Sequence, residues 1–426
     1  MIRYLLCLVF LVFNQVSAQV TLSGKAVDAT TKAPLFGANI YINNSTIGTE
    51  TDSLGMFKLT VPNSGKVELI ISHVIYQKQW MVISTENVGE LLIEMLPQQN
   101  VLQEVVIKLK KKNKLKAKSW TELFAANLIG SYKDISIQCK LVNPDVLYFD
   151  YDEDTKKLKV FAQGPIMIEN GALGYMIRMD LDEFTYDFTN DVIAYKYSVF
   201  FEDFVAPQKQ MERFAEKRET LFAGSTMHFM RSLHSKTTAA EGFTIHKYTP
   251  KPNKERERVN AIIQQKKAEL YALDVNPGDD ISRFFLSRDT VRYYHSVIEQ
   301  PKTLSYDTIK VSPDALVKTS KDLLAVNFHT RDTLMVTYTG LKQSKTKVSG
   351  FSSTAFDSKI AKGKKSVKEA AISVIHNSYL YFFNKEGINI LPNGYYPDMG
   401  IFIYGDMGER RLAGLLPFDY NPNVAL

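Results

Sequence analysis

Between Val20 and Ile107 apolar residues recur at every second position in a series of short runs. Phe57, Leu59 and Val61 alternate with Lys58 and Thr60, and Val67, Leu69 and Ile71 repeat the pattern. Val20–Val27, Ala38–Ile42, Trp80–Ser84, Leu91–Met95 and Leu102–Ile107 read the same way. A period of two is that of a strand with one buried face. Turn signals separate the runs. In "TETDSLGMFKLTVP" the Asp52 carboxylate can take backbone N–H groups just beyond it, Gly55 permits positive φ, and Pro62 ends the strand. Seven short strands bounded by turns predict an Ig-like β-sandwich.

A larger region of mixed pattern follows. Ser119-Trp120-Thr121-Glu122 has the spacing of a capping box, and Trp120, Leu123, Phe124 and Leu128 share a helical face that ends near Gly130. "VLYFDY" and "KLKVFA" around "DEDTK" predict a hairpin, and "IMIENGALGYMIRMDLDEFTYDF" and "VIAYKYSVFFEDF" predict further strands. Helices are predicted over 208–222 and 225–235, split by Gly224, with an exposed one in "NKERERVNAIIQQKKAEL". Beyond 280 the reading returns to strands in "RYYHSVI", "LLAVNFH", "TLMVTYTG" and "AISVIHNSYLYFF", with a turn-rich basic stretch, "SGFSSTAFDSKIAKGKKSVKEA", between the last two. No repeat of solenoid or propeller length is present. The expected fold class is mainly β with helices: an Ig-like or prealbumin-like sandwich, then a larger β-rich α+β region.

Composition sharpens this. A chain of 426 residues exceeds what one core usually serves. Arg3, the apolar run Tyr4–Phe13 and the small residues Val16-Ser17-Ala18 read as a secretory signal with cleavage after Ala18. The expected organisation is a signal peptide at 1–18, the sandwich at 19–108, a basic linker at 109–118 and an α+β region at 119–426 with a possible break near 250–280. No later run is apolar and long enough for a spanning helix. With Cys7 in the signal, Cys139 is left without an intramolecular partner and reads as a small buried hydrophobe. The modest formal charge of +6 does not call for nucleic acid. Lys108, Lys110, Lys111, Lys112, Lys114, Lys116 and Lys118 form a run whose plain reading is a solvated linker and whose sharper one is contact with an anionic surface.

"GKAVDATTKAPLFGANIYI", "GTETDSLGMFKLTVP" and "LIISHVIYQKQ" resemble the carboxypeptidase-like regulatory domain, and "VLQEVVIK" resembles the segment that closes it. The resemblance implies a prealbumin-like sandwich of the kind found at the N-termini of exported Bacteroidetes proteins, TonB-linked receptors among them. Ile75 stands where that family usually has Gly before the aromatic residue, here Tyr76. "LVNPDVLYFDY", "GPIMIENGALGYMIRMDLDEF", "GSTMHFMRSL" with "EGF", and "LAGLLPFDYNP" resemble the region that follows this sandwich in a group of such proteins, for which the resemblance implies no activity.

Candidate chemistry is sparse. None of the seven His is followed by Glu at +3, so the zinc carboxypeptidase pair is missing; His329 has only Asp332 there. Asp150, Asp152 and Asp154 could offer calcium oxygens, but a solvated hairpin accounts for them. His228 and His234 project about 120° apart on one helix and cannot share a metal from one face. Ser225 and His228 lack a nucleophile-elbow motif. Asp180, Asp182 and Glu183 could supply a glycosidase pair, although strand-surface charge suffices. Asp-Ser/Thr-apolar tripeptides place candidate O-glycosylation at Ser53, Thr290, Thr308 and Thr333. No catalytic, cofactor or metal residue is assigned. The expectation is a non-catalytic exported envelope protein, periplasmic or outer-membrane-associated. Its sandwich would dock and its larger part would bind or scaffold a protein or glycan partner. The alternative is a hydrolase of peptide or glycan with the sandwich as accessory. A TonB-linked receptor is disfavoured, because no plug or long barrel follows "VLQEVVIK".

Overall fold

The computed structural model describes residues 19–63, 65–86, 89–98, 117–130, 132–190, 192–272, 287–300, 303–320, 324–340, 376–396 and 400–422. The predicted signal segment, the closing run Leu102–Ile107, the lysine run apart from Lys118 and the basic stretch before "AISVI" lie outside these residues.

Asp52 builds the turn that its sequence predicts. Its Oδ1 accepts the N–H groups of Leu54 and Met56 at 2.9 and 2.8 Å, and Gly55 holds φ +74°. A side chain at Gly55 would meet the Ala26 carbonyl at 2.4 Å. The turn launches β4 (Met56–Pro62), which follows β1 (Gln19–Asp28), β2 (Asn39–Ile42) and β3 (Gly48–Glu50) and precedes β5 (Lys66–Ser72), β6 (Gln79–Ser84) and β7 (Leu91–Met95). Two sheets result, β4-β1-β7 and β3-β2-β5-β6. Leu22, Phe57, Leu59 and Val61 from the first meet Ile40, Leu69 and Ile71 from the second in one core. Ile75 needs no glycine: its φ is not positive, and the Tyr76 N–H closes the turn on the His73 carbonyl at 3.2 Å. The Tyr76 hydroxyl then donates to Asp28.

The second core belongs to α1 (Ala117–Ile129) and a six-stranded sheet of β8 (Cys139–Leu141), β9 (Leu147–Asp152), β10 (Lys157–Ala162), β11 (Ile166–Asn170), β12 (Tyr175–Asp187) and β13 (Val192–Asp203). α1 starts two residues ahead of Ser119 and stops before Gly130 at φ +87°. Its Trp120, Phe124 and Leu128 are buried in that core. Long β12 pairs β11 with its first half, β10 with its second, and β13 along its other edge, with a register shift between Leu181 and Glu183.

α2 (Gln208–Phe222) and α3 (Thr226–Ser235) follow, split at Gly224 (φ +70°), with Ser225 capping α3 by accepting the His228 N–H at 3.0 Å. The core changes here: Leu221 and Met227 belong to the second cluster, Phe229 and Met230 to a third. This changeover lies ahead of the expected break at 250–280. The third core is covered by a five-stranded sheet, β15-β14-β18-β19-β21, and a small three-stranded one, β16-β17-β20. In chain order these are β14 (Phe243–Pro252), α4 (Lys254–Ala272), α5 (Arg288–Ile298), β15 (Thr303–Val311), β16 (Val317–Thr319), β17 (Val326–Phe328), β18 (Leu334–Tyr338), β19 (His376–Phe382), β20 (Ile388–Ile390), β21 (Ile401–Gly405) and α6 (Asp406–Glu409).

"RYYHSVI" is helix, in α5, and not the strand its short apolar run suggests. Ser287 caps it by accepting the Asp289 N–H, and the i, i+3 spacing of Tyr294 and Val297 sets both against Val259 and Ile263 of α4. The chain is mainly β, a sandwich followed by a β-rich α+β region.

Three arginines tie the parts together. Arg218 is 2% exposed, lies 3.7 Å over the Tyr175 ring, and donates to the Leu173 carbonyl and Asp203 at 2.8 Å each. Arg410 donates to the carbonyls of Leu221 and Ala223 and pairs with Asp406. Arg231 donates to the carbonyls of Asn393, Phe418 and Tyr420 at 2.9–3.0 Å. Burial lowers its own affinity for a proton to a pKa of about 10, so it remains charged at neutral pH. The segment it holds reaches the other two cores: Ala413 N–H donates to Ile129 O, Asn170 to Ala413 O, Phe418 N–H to Asn44 O, and Thr46 to Asp419. "LAGLLPFDYNP" is therefore a structural staple.

Candidate functional site

The solvent face of the five-stranded sheet is paved with aromatic rings. Alternation sends Leu380, Ile401 and Ile403 into the third core, so Tyr379, Tyr381, Phe402 and Tyr404 point the other way. Register places Tyr379 opposite Tyr404 and Tyr381 opposite Phe402. The rings touch in series: Tyr248–Tyr379 at 4.8 Å, Tyr379–Tyr404 stacked at 4.8 Å, Tyr381–Phe402 at 5.1 Å, Tyr381–Phe383 at 5.1 Å. Phe383, Phe402 and Tyr404 are 65%, 44% and 40% exposed. At roughly 200 Å² per ring they leave about 300 Å² of aromatic surface in water, the scale of the largest patch on a typical monomer. β21 is also an edge strand. Sequence reading passed over this face, yet its signal is present: "YLYFF" and "IFIY" contain no charged residue, so each strand must turn apolar or aromatic side chains to both faces, the outer one included.

The second feature is the junction of sandwich and six-stranded sheet. Tyr41 and Ile70 are 2% and 1% exposed although neither belongs to the sandwich core. Tyr41 donates to Asp180 Oδ2 at 2.6 Å and its ring lies 5.4 Å from Phe200. Lys78 pairs with Asp182 and donates to Ser198, while Arg178 donates to Asn39 at 2.7 Å. The turn after β2 extends the sheet edge: Asn44 N–H donates to Val199 O and Phe201 N–H to Ser45 O. A cleft of about 190 Å³ remains, lined by Asn39, Tyr41, Gly48, Thr49 and Glu50 on one side and Arg178, Phe200 and Glu202 on the other. Gly48 makes room for the Phe200 ring, which would lie 2.7 Å from a Cβ there.

The residues singled out in the sequence do not converge. Asp180 and Asp182 are engaged at the junction, and Glu183 follows the register shift. The charge of Asp180 and Asp182 is interfacial, which alternation along one strand could not reveal. Asp152 holds its hairpin by accepting from the Asp154 N–H and the Thr155 hydroxyl. Ser225 binds the backbone of His228 and not its ring. The ring takes the Gly224 N–H on Nδ1 at 3.0 Å, so its proton sits on Nε2, 2.8 Å from Glu241. Burial among Phe222, Phe243 and Tyr338 lowers its pKa, with Glu241 opposing. His234 reaches the Leu324 carbonyl instead. Cys139 is a buried free thiol whose pKa burial pushes up to about 12. Lys118 is exposed on α1, Ser53 lies in the exposed Asp52 turn, Thr290 is in α5, Thr308 is exposed on β15 and Thr333 precedes β18. Among the described residues no group of three His, Cys, Asp or Glu could hold a metal ion, and no helix is long and apolar enough to cross a membrane.

Residues 22–107 match the family model of the CarboxypepD_reg-like domain, a non-catalytic Ig-like fold, in agreement with the sandwich. No curated protein matches the chain. A solved 9R-lipoxygenase from Cyanothece PCC8801 aligns at 11% identity over 51% of this chain and 48% of its own, with a TM-score of 0.15. The chain thus spans about half of that protein's length, and a score so low carries no argument about fold.

Proposed function

We propose that the protein is a non-catalytic binding protein of the cell envelope, exported by its N-terminal segment. Its sandwich braces the body, and its aromatic sheet face receives a partner protein. The observation that carries this reading is the run of touching rings on β19 and β21, the latter the edge strand of its sheet among the described residues. An incoming strand can add to such an edge by main-chain hydrogen bonds while Tyr and Phe, the side chains that dominate protein interfaces, cover its alternate residues. The sandwich supports a bracing role because much of its outer face is spent on its own chain. Export is supported by the sequence pattern of residues 1–18 and the company the resembling domains keep. The lysine run ending at Lys118 would add attraction to an anionic envelope surface.

The test is recovery of partners from native envelope extract by tagged wild type and by the Phe402→Ser/Tyr404→Ser variant. One protein captured by wild type and lost by the variant, at unchanged thermal midpoint, is the expected result. Equal capture by both, or retention of wild type only by polysaccharide resins, refutes the protein partner.

A further inference from the structure

The cleft at the junction holds charges that its own walls leave unmatched. Among the described residues the Arg178 guanidinium bonds only the neutral Asn39 side chain, and its buried Nε has no acceptor. A partly buried cation without a counter-ion is costly, and proteins usually place a carboxylate on it. Two carboxylates do line the same cleft, Glu50 and Glu202, yet neither pairs with Arg178 or with any other described residue. Glu50 pairs in register with Asn39, the residue that Arg178 bonds, and Glu202 pairs with Met176, two positions along β12 from Arg178. The Tyr41 and Phe200 rings, 5.4 Å apart, line the same cleft and contribute an apolar wall.

The geometry points to a site for a small zwitterion, a free α-amino acid. Its carboxylate accepts from the Arg178 guanidinium, its ammonium donates to Glu50 and Glu202, and its side chain lies toward Tyr41 and Phe200. Charge selects this class. A simple anion would meet two carboxylates, a simple cation would meet the guanidinium, and a zwitterion satisfies both. The volume, about 190 Å³, falls below that of pockets for drug-sized ligands and suits a single amino acid. Because Asn39, Tyr41 and Glu50 come from the sandwich and Arg178 and Glu202 from the sheet, the site exists only while the two are joined. Occupancy would therefore hold the junction closed by mass action. This inference does not depend on the aromatic face.

The test is calorimetric titration and thermal unfolding of the full chain with glycine, L-alanine and L-threonine up to about 10 mM, the millimolar range in which weak sites fill. Acetate and ethylammonium serve as single-charge controls. We expect the amino acids to bind and raise the midpoint, the controls to do neither, and Arg178→Gln and Glu202→Gln each to weaken binding about tenfold, the loss of one charge-assisted hydrogen bond. Glu202 is exposed and unpaired, so its variant folds even if that of Arg178 does not. Absence of binding by every amino acid, binding of acetate as tight as that of alanine, or undiminished binding by Glu202→Gln overturns the proposal. Phe402→Ser/Tyr404→Ser should bind as wild type does, which separates this result from the fate of the aromatic face.

Discussion

Replacing Tyr41 by Phe removes one hydroxyl from the centre of the junction and little else. The ring stays buried, 2% exposed, and its contact with Phe200 is kept. What is lost is the O–H donated to Asp180 at 2.6 Å. A hydrogen bond to a charged acceptor contributes about 1.5–3 kcal/mol. Asp180 is half-buried, so water recovers part of it and the lower half of that range applies, about 1.5–2 kcal/mol. The neighbouring Lys78–Asp182 pair, with side chains 20% and 30% exposed, contributes about 1 kcal/mol or less, as such pairs do. Tyr41 then contributes more than that pair, and its loss should raise the opening of the junction about 10–30-fold. Native-state hydrogen exchange reads this directly. The Asn44 and Phe201 amides bond across the junction at 2.8 and 2.9 Å and exchange when it opens. They should lose protection in Tyr41→Phe while the Leu59 amide, inside the sandwich, keeps it. Alkali offers a second readout. Burial first, then Asp180, pushes the Tyr41 phenol far above its ordinary 10.0, so the folded state prefers the neutral ring. Its contribution is complete below pH 10 and is lost as pH rises beyond, and Tyr41→Phe should lack that share of the alkaline sensitivity. Unchanged protection of Asn44 and Phe201, or loss shared equally by Leu59, would refute the reasoning.

Two further outcomes follow from buried groups. His228 has a pKa depressed mainly by burial, so its neutral form is the folded one. Its contribution is intact above 6.5 and falls away as pH drops below, because a proton on Nδ1 would oppose the Gly224 N–H; the thermal midpoint should decline on acidification, less steeply in His228→Gln. Arg231→Met removes three charge-assisted hydrogen bonds, one to the Asn393 carbonyl and two to the staple at Phe418 and Tyr420, and should cost about 4–5 kcal/mol in denaturant unfolding, with hydrogen exchange raised at Phe418 and Tyr420 before the sandwich core responds.

Short-range features were legible along the chain. The Asp52–Gly55 turn, the alternation in β4 and the split of α2 from α3 at Gly224 depend on backbone periodicity and on contacts within four residues, and local composition carries both. "RYYHSVI" misled because a short apolar run fits either period, and only the α4 surface decides between them. The contacts of the junction lie at longer range. Tyr41 meets Asp180 across 139 positions and Thr46 meets Asp419 across 373, and nothing local marks either pair. Alternation shows that Phe402 and Tyr404 share a face but not that the face stays open. Which faces are covered is settled by the packing of three cores against one another, a property of the whole chain and of no segment within it.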